Sequence, residues 1–278
     1  MAKAAISTPG SRTGGGEKGR VALVGAGPGD PELLTLKALR AIRDAEVIFT
    51  DRLVGPGILD LAGAETVIVP VGKSKGEHSV PQAEIHRRMV EAARAGKRVV
   101  RLKGGDPFIF GRGGEEVEAL REAGVEVEVV PGISAAMGCA AAAQIPLTHR
   151  DAAQAVTFVT GHAALGAEPD LDWASLAKAN QTVVVYMGLG AAPSIQSRLM
   201  AAGRDGATPV AVIENGTRED EIRAFGRLDE LTDLIQRNGI DGPALLIIGE
   251  VVAVADGSKR VARKAERLSL GSLWELLS

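Results

Sequence analysis

The sequence predicts an α/β fold made of two units in tandem, each a sheet flanked by helices. Three observations carry that prediction. Short β-branched runs alternate with helical stretches from Arg20 to about residue 256. The alternation is interrupted once, by the connector "THRDAAQ" at 148–154. A length of 278 residues also fits two domains or one large one.

In the first half, strands are predicted at 20–24, 46–50, 66–71, 97–102 and 125–130. Helices fall at about 31–44, 81–95 and 112–123, with a further one after 133, and this strict alternation calls for a largely parallel sheet. In the second half, strands recur at 155–160, 182–187, 208–213, 221–225 and 243–248, with helices near 172–179, 193–202 and 228–237. There "EIRAFGRL" suggests a hairpin component. The expected organisation is an N-terminal α/β domain over 19–150 and a C-terminal α/β domain over 151–256. Residues 1–18 are small, polar and Gly-rich and read as a disordered leader. The tail 257–278 starts basic and ends "LSLGSLWELLS"; it reads as a loosely docked segment, with a partner-binding helix as the sharper alternative.

Composition narrows the partners. Hydrophobic residues make up 45% of the chain and charged residues 24%, an ordinary balance for a globular protein in water. Aromatics, at 3%, are too few for a platform on which bases stack. With a net charge of −3 and a pI near 5.9, the chain has no global basic field for nucleic acid or an anionic membrane. Neither partner is expected, and an anionic ligand needs a local basic pocket. Cys139 is the only cysteine, which rules out an intrachain disulfide or a cysteine metal cluster and suits a reducing cytoplasm. No metal is expected. There is no apolar stretch of a signal peptide and no run of ~18 apolar residues, so a cytoplasmic location is expected.

The first predicted strand breaks into "VGAGPGDPELL", close to the glycine fingerprint of a dinucleotide site. Gly25 and Gly27 match its first two positions, but Asp30 stands at the third. Asp30-Pro31-Glu32 makes a good helix start, with Asp as N-cap and Pro in the first position. The Asp30 carboxylate would take the N–H groups that a phosphate needs, and Pro31 removes one of them. The loop suits close backbone approach, but not to an anion; taken alone it also fits a plain strand-to-helix turn.

Asp51 and Arg52 end the second strand in "FTDRLV", offering a proton acceptor beside an anion clamp, or a solvated loop pair. The densest stretch is "RVVRLKGGDPFIFGRGGEE" at 98–116. Gly104 and Gly105 let a ligand touch the backbone, Asp106 offers an acceptor, and Phe108, Ile109 and Phe110 supply apolar walls. "VVPGISAAMG" then reads as strand, turn and helix, with Ser134 as the N-cap.

In order and spacing, "VGAGPGDPELLTLKALRAI", "DRLV", "VGK", "HSVPQ", "RLKGGDPFIFGRGGEE", "VVPGIS", "IPLTHRD" and "TFVTGH" resemble the tetrapyrrole methylase family over about 20–255. "GAGPGD" and "GGDPF" mark the wider family, while "DRLV", "KGGDPFIFGRGGEE" and "PLTHRD" are similar to its uroporphyrinogen-III C-methyltransferase branch. The resemblance implies a class III methyltransferase fold, with folded S-adenosylmethionine in a cleft between two α/β domains. Carried onto matching positions, it implies cofactor contacts from Pro28, Gly104, Gly105, Asp106, Ile109, Ser134, Ala135, Met187 and Gly216, with Pro243 and Ala244. The family often has Thr where Ser134 stands, which keeps the hydroxyl. Alone, Met187 would read as core packing; only the motif around it points to the cofactor.

The implied reaction is successive methyl transfer to C2 and C7 of uroporphyrinogen III, giving precorrin-2 for sirohaem or cobalamin and leaving S-adenosylhomocysteine. Asp51 corresponds to the base and Lys73 of "VGK" to the acid, with Arg52, Leu53, Phe110 and Arg150 toward the tetrapyrrole. Its many carboxylates demand cations, and Arg52, Lys73, Lys75, Lys103, Arg112 and Arg150 lie in or beside these loops. The family forms homodimers, so a homodimer is implied. No dehydrogenase or ferrochelatase module is visible, so a monofunctional chain is expected.

Two other readings remain at this level. A sister methylase could act on a later corrin intermediate, on ribosomal RNA or on diphthamide; "DRLV" with "PLTHRD", and the absence of a basic stripe, argue against it. A Rossmann nucleotide-binding oxidoreductase is opposed by Asp30 and Pro31.

Overall fold

The computed structural model describes residues 19–72, 80–162 and 169–255. The predicted leader, the predicted tail, and Lys73 and Lys75 lie outside the described residues.

Five strands form the first sheet: β1 (Arg20–Gly25), β2 (Val47–Thr50), β3 (Val67–Pro70), β4 (Arg98–Lys103) and β5 (Glu126–Val130). Their order is β3-β2-β4-β1-β5, and every pairing is parallel. A parallel sheet is covered on both faces, which is why its strands read as near-continuous apolar runs. Along β4, Val99 joins one core and Val100 and Leu102 the other. Helix α1 (Leu36–Asp44) packs on the second of these cores through Ala38 and Ile42. Helices α2 (Gln82–Arg94) and α3 (Gly113–Glu122) cover the opposite face. The connections leaving neighbouring strands β1 and β4 therefore depart to opposite faces. Between their carboxyl ends lies the crevice where open α/β sheets bind ligands.

The predicted helix at 31–44 is in fact two pieces. A 3-10 turn spans Pro31–Leu33, Leu34 and Thr35 are extended, and α1 then starts afresh. Asp30 Oδ1 accepts from Glu32 N at 2.8 Å and Thr35 Oγ1 from Ala38 N at 3.1 Å, so each piece carries its own cap.

The second sheet is mixed. It comprises β6 (Ala155–Thr160), β7 (Gln181–Tyr186), β8 (Pro209–Glu214), β9 (Ile222–Arg227) and β10 (Ala244–Ile248) in the order β6-β7-β10-β8-β9. Only β6 and β7 are parallel, and β8 with β9 forms the hairpin that "EIRAFGRL" suggested. Helices α5 (Trp173–Leu176), α6 (Ala192–Ala201) and α7 (Leu231–Arg237) cover one face. The other face holds α8 (Val251–Ala255) and α4 (Ala135–Ala142). Helix α4 follows β5 and precedes the 148–154 connector, yet packs on the second sheet. Its sequence "AAMGCAAA" is small and apolar all round; Ala136, Gly138, Cys139 and Ala140 are buried, while Met137 stays half-exposed. Among the described residues, no helix is long and apolar enough to cross a membrane.

Candidate active site

Loops from both sheets converge on the first turns of α4. The Tyr186 hydroxyl, at the end of β7, is hydrogen-bonded to Ser134 Oγ and accepts from Ala136 N at 3.0 Å. Ser134 occupies the N-cap position without capping through its own side chain. Tyr186 does that work from the second sheet, and burial pushes its phenol pKa above the ordinary value. On the other side, Gly105 adopts φ +69°, and a β-carbon there would approach Ala135 N to 3.7 Å. Gly105 and Gly27 exchange backbone hydrogen bonds of 2.7 and 3.2 Å, which ties the loops after β4 and β1 together.

Two close approaches depend on the small side chains of this region. A β-carbon on Gly138 would lie 2.4 Å from Pro28 Cγ, and one on Gly216 would lie 2.2 Å from Cys139 Sγ. Pro28 and Gly216 thus press on α4 from opposite units. Burial raises the Cys139 thiol to about 12, so this sulfur is packing material rather than a nucleophile. Asn215 N donates to Pro243 O at 3.0 Å, and Ala244 pairs with Glu214, which brings the 243–244 segment beside Gly216.

The Asp106 carboxylate spans two loops, accepting from Phe108 N at 2.9 Å and from Gly132 N at 3.1 Å. Ile109 follows within the same turn, its N–H donating to Asp106 O at 3.4 Å. The Phe110 ring stands 4.9 Å from that of Tyr186. Phe110 and Met187 have φ of +51° and +53°, a region that costs a non-glycine residue about 1–3 kcal/mol. Met187 keeps 52% of its surface exposed, so the core-packing alternative does not hold.

Beneath the loop after β2 lies a buried charge cluster. Asp51, Arg101 and Lys103 face the α2–α3 side of the sheet, where Glu116 of α3 meets them. Arg101 Nη2 pairs with Asp51 Oδ1, and its Nε donates to Glu116 Oε1 at 2.8 Å. Lys103 Nζ lies 3.0 Å from Glu116 Oε2 and 3.7 Å from Asp51 Oδ2. The Oε2 contact falls outside hydrogen-bond geometry, so charge alone holds that oxygen. Burial opposes the Arg101 charge, but Asp51 and Glu116 outweigh it and raise the guanidinium above its ordinary value. Only the Asp51 side chain reaches the surface, at 27% exposure against 4% or less for the other three.

Residues 20–232 match the family described as Tetrapyrrole (Corrin/Porphyrin) Methylases. The chain belongs to this family. It is 56% identical over 239 residues to a sirohaem synthase of Psychromonas ingrahamii, covering 86% of this chain and 50% of that protein. Sirohaem synthase 1 of Klebsiella pneumoniae is 54% identical over 236 residues, again with 50% of its length covered. The chain thus spans about half the length of the curated relatives it matches. Among solved structures, the uroporphyrin-III C-methyltransferase of Thermus thermophilus complexed with S-adenosylhomocysteine is 46% identical, with a TM-score of 0.74. That likeness covers 85% of this chain and all of that one. A cobalt precorrin-4 methyltransferase of cobalamin biosynthesis has a TM-score of 0.77 at 28% identity, over 87% of this chain and 99% of that one.

In this methylase the predicted residues Pro28, Gly105 and Gly216 approach α4, Ser134 and Ala135 form its start, and Pro243 and Ala244 lie beside the Gly216 turn. Leu53 packs on Gly104 and is half-exposed beside the exposed Arg52. Arg150 is not brought to this crevice. It precedes β6, whose first residue pairs with Gln181 and whose last pairs with Tyr186, so it lies toward the opposite end of the sheet. Lys103 is not a free cation for a substrate, because Glu116 and Asp51 neutralise it. Arg112, in turn, is paired with Glu115.

Sequence reasoning missed Tyr186, Arg101 and Glu116. A signal for the last two existed: Val99, Arg101 and Lys103 alternate onto one face of a strand that is buried on both sides. Two cations there require buried anions.

Proposed function

We propose that the chain is an S-adenosylmethionine-dependent C-methyltransferase that methylates uroporphyrinogen III at C2 and C7 to give precorrin-2. One observation carries this reading: the Asp51 carboxylate, partly exposed above a cationic floor, stands at the end of β2 against β4, whose following loop brings Gly105 to the start of α4.

The residues around α4 fit S-adenosylmethionine. Gly105 presents backbone in a left-handed turn, Met187 is strained and exposed at the strand end, and the helix start beside Pro28 is closed by Asp30. That closed start disfavours a phosphate, and this cofactor brings none. Gly104, Gly105, Asp106, Ile109, Ser134, Ala135, Met187, Gly216, Pro243, Ala244 and Pro28 would hold it. Its contribution when bound is a methyl group on a sulfonium, electrophilic without further activation.

The chain's own residues then have two tasks: aligning the ring carbon and managing its proton. Asp51 accepts the proton lost from the methylated ring. Arg52, Leu53 and Phe110, exposed at the crevice mouth, contact the tetrapyrrole, and Lys73 returns a proton. The product serves sirohaem or cobalamin synthesis, and the working assembly is a homodimer.

Incubation with uroporphyrinogen III and labelled S-adenosylmethionine, followed by mass analysis, tests the reading. A gain of two methyl groups is expected. No gain, or methylation only of a later corrin intermediate, sinks it.

A further inference from the structure

We propose that Glu116, acting through Arg101 and Lys103, is a positioning residue that sets the orientation and charge balance of Asp51 as the proton acceptor. The inference rests on the reaction proposed above and concerns how its base is held.

The geometry has three parts. Glu116 is fully buried and fixed from a third element: Gln82 Nε2 of α2 donates to Glu116 Oε1 at 3.1 Å and lies 3.1 Å from His86 Nε2. Glu116 in turn engages both cations that reach Asp51, with Arg101 Nε at 2.8 Å and Lys103 Nζ at 3.0 Å. Arg101 is itself locked, since its Nη1 donates to Phe49 O at 3.3 Å and to Leu102 O at 3.2 Å. Asp51 cannot rotate without breaking a chain of contacts that runs through β4 and α3 to α2.

The charge count gives the second half of the argument. With Asp51 ionised, two cations and two carboxylates sum to zero. When a C–H bond of the methylated ring breaks, its electron pair stays with the ring and the proton moves to Asp51. The cluster then carries one uncompensated positive charge in a largely buried site, which favours passing the proton on through the exposed edge of Asp51. The charged groups facing Asp51 among the described residues are Arg101 and Lys103 on β4, Glu116 on α3, and exposed Arg52 on its own loop. His86 of α2 stands behind Glu116.

The test is a pH–kcat profile of the full chain with uroporphyrinogen III and S-adenosylmethionine. Glu116→Gln leaves the two cations under-compensated, so the acid limb is expected to move down by roughly one pH unit. The kcat is expected to fall about threefold to tenfold as the base weakens, with both KM values little changed. Lys103→Met leaves excess negative charge and is expected to move the limb up by a similar amount. The double variant Lys103→Met/Glu116→Gln is neutral again and is expected to restore the limb, which keeps the test decisive if Glu116→Gln alone folds poorly.

Shifts of opposite sign that cancel in the double variant support the proposal, because a merely structural role would not produce them. Variants that lose activity in proportion to stability with the limb unmoved overturn this proposal and leave the reaction standing. A wild-type chain that transfers no methyl groups overturns both.

Discussion

Tyr186 puts one hydroxyl at a junction between the two sheets, where it bonds Ser134 Oγ and caps α4 through Ala136 N. Ser134 stands at the N-cap and can take over that capping bond if the phenol is removed. Tyr186→Phe is therefore expected to cost only about 0.5–1.5 kcal/mol in urea unfolding. Ser134→Ala should cost no more, since Tyr186 still caps the helix. The double variant leaves the helix start without an acceptor, so its loss should exceed the sum of the single losses by at least about 0.5 kcal/mol. Strict additivity would mean that the two hydroxyls do not share the cap. Ser134 was legible as a cap from its place before "AAMG". Its actual partner was not, because Tyr186 lies 52 residues away.

At the scale of elements, the start of α1 shows local chemistry deciding local structure. Asp30 and Thr35 each cap a piece, with extended backbone between them. The segment was predicted as one helix because Asp30, Pro31 and Glu32 form a complete start signal. Thr35, five residues after Asp30, is a second cap and restarts the helix. Thr35→Ala is expected to destabilise the fold by about 1 kcal/mol, seen as a lower urea midpoint with an unchanged slope. An effect below about 0.3 kcal/mol would show that Thr35 does not anchor α1. Helix α4 makes the complementary point: its small residues are obvious in sequence, but not which sheet they serve.

Across the whole molecule, the units are strapped together by the turn after β8. Asp30 N donates to Thr217 Oγ1 at 3.2 Å, and Arg218 Nη2 donates to Leu53 O at 2.8 Å. The strap is weakly held, since Arg218 Nε is buried with no partner among the described residues, at a cost of about 1–3 kcal/mol. Arg218→Ala should therefore change global stability by less than about 1 kcal/mol, the lost bond being offset by the removed orphan donor. It should nonetheless speed hydrogen exchange at Asp30 N–H, because the units open more often. Unchanged exchange there would show that the crevice is closed by other contacts.

The amino-acid sequence determined the α/β class, the succession of strands and helices, the Asp30 cap that disfavours a phosphate, and the glycine-bearing loops that line the crevice. Each follows from chemistry within a few residues: β-branched runs, caps, and turns that need a left-handed backbone. The tertiary structure alone decided that the second sheet is mixed, that α4 packs on it, and that Lys103 is neutralised rather than free. It also decided the partners of Asp51, because Arg101 lies 50 residues from it along the chain. Such pairings depend on which strands become neighbours. The same β-branched runs could have been stacked in several orders, and only the packed sheet brings β2, β4 and α3 to one buried point.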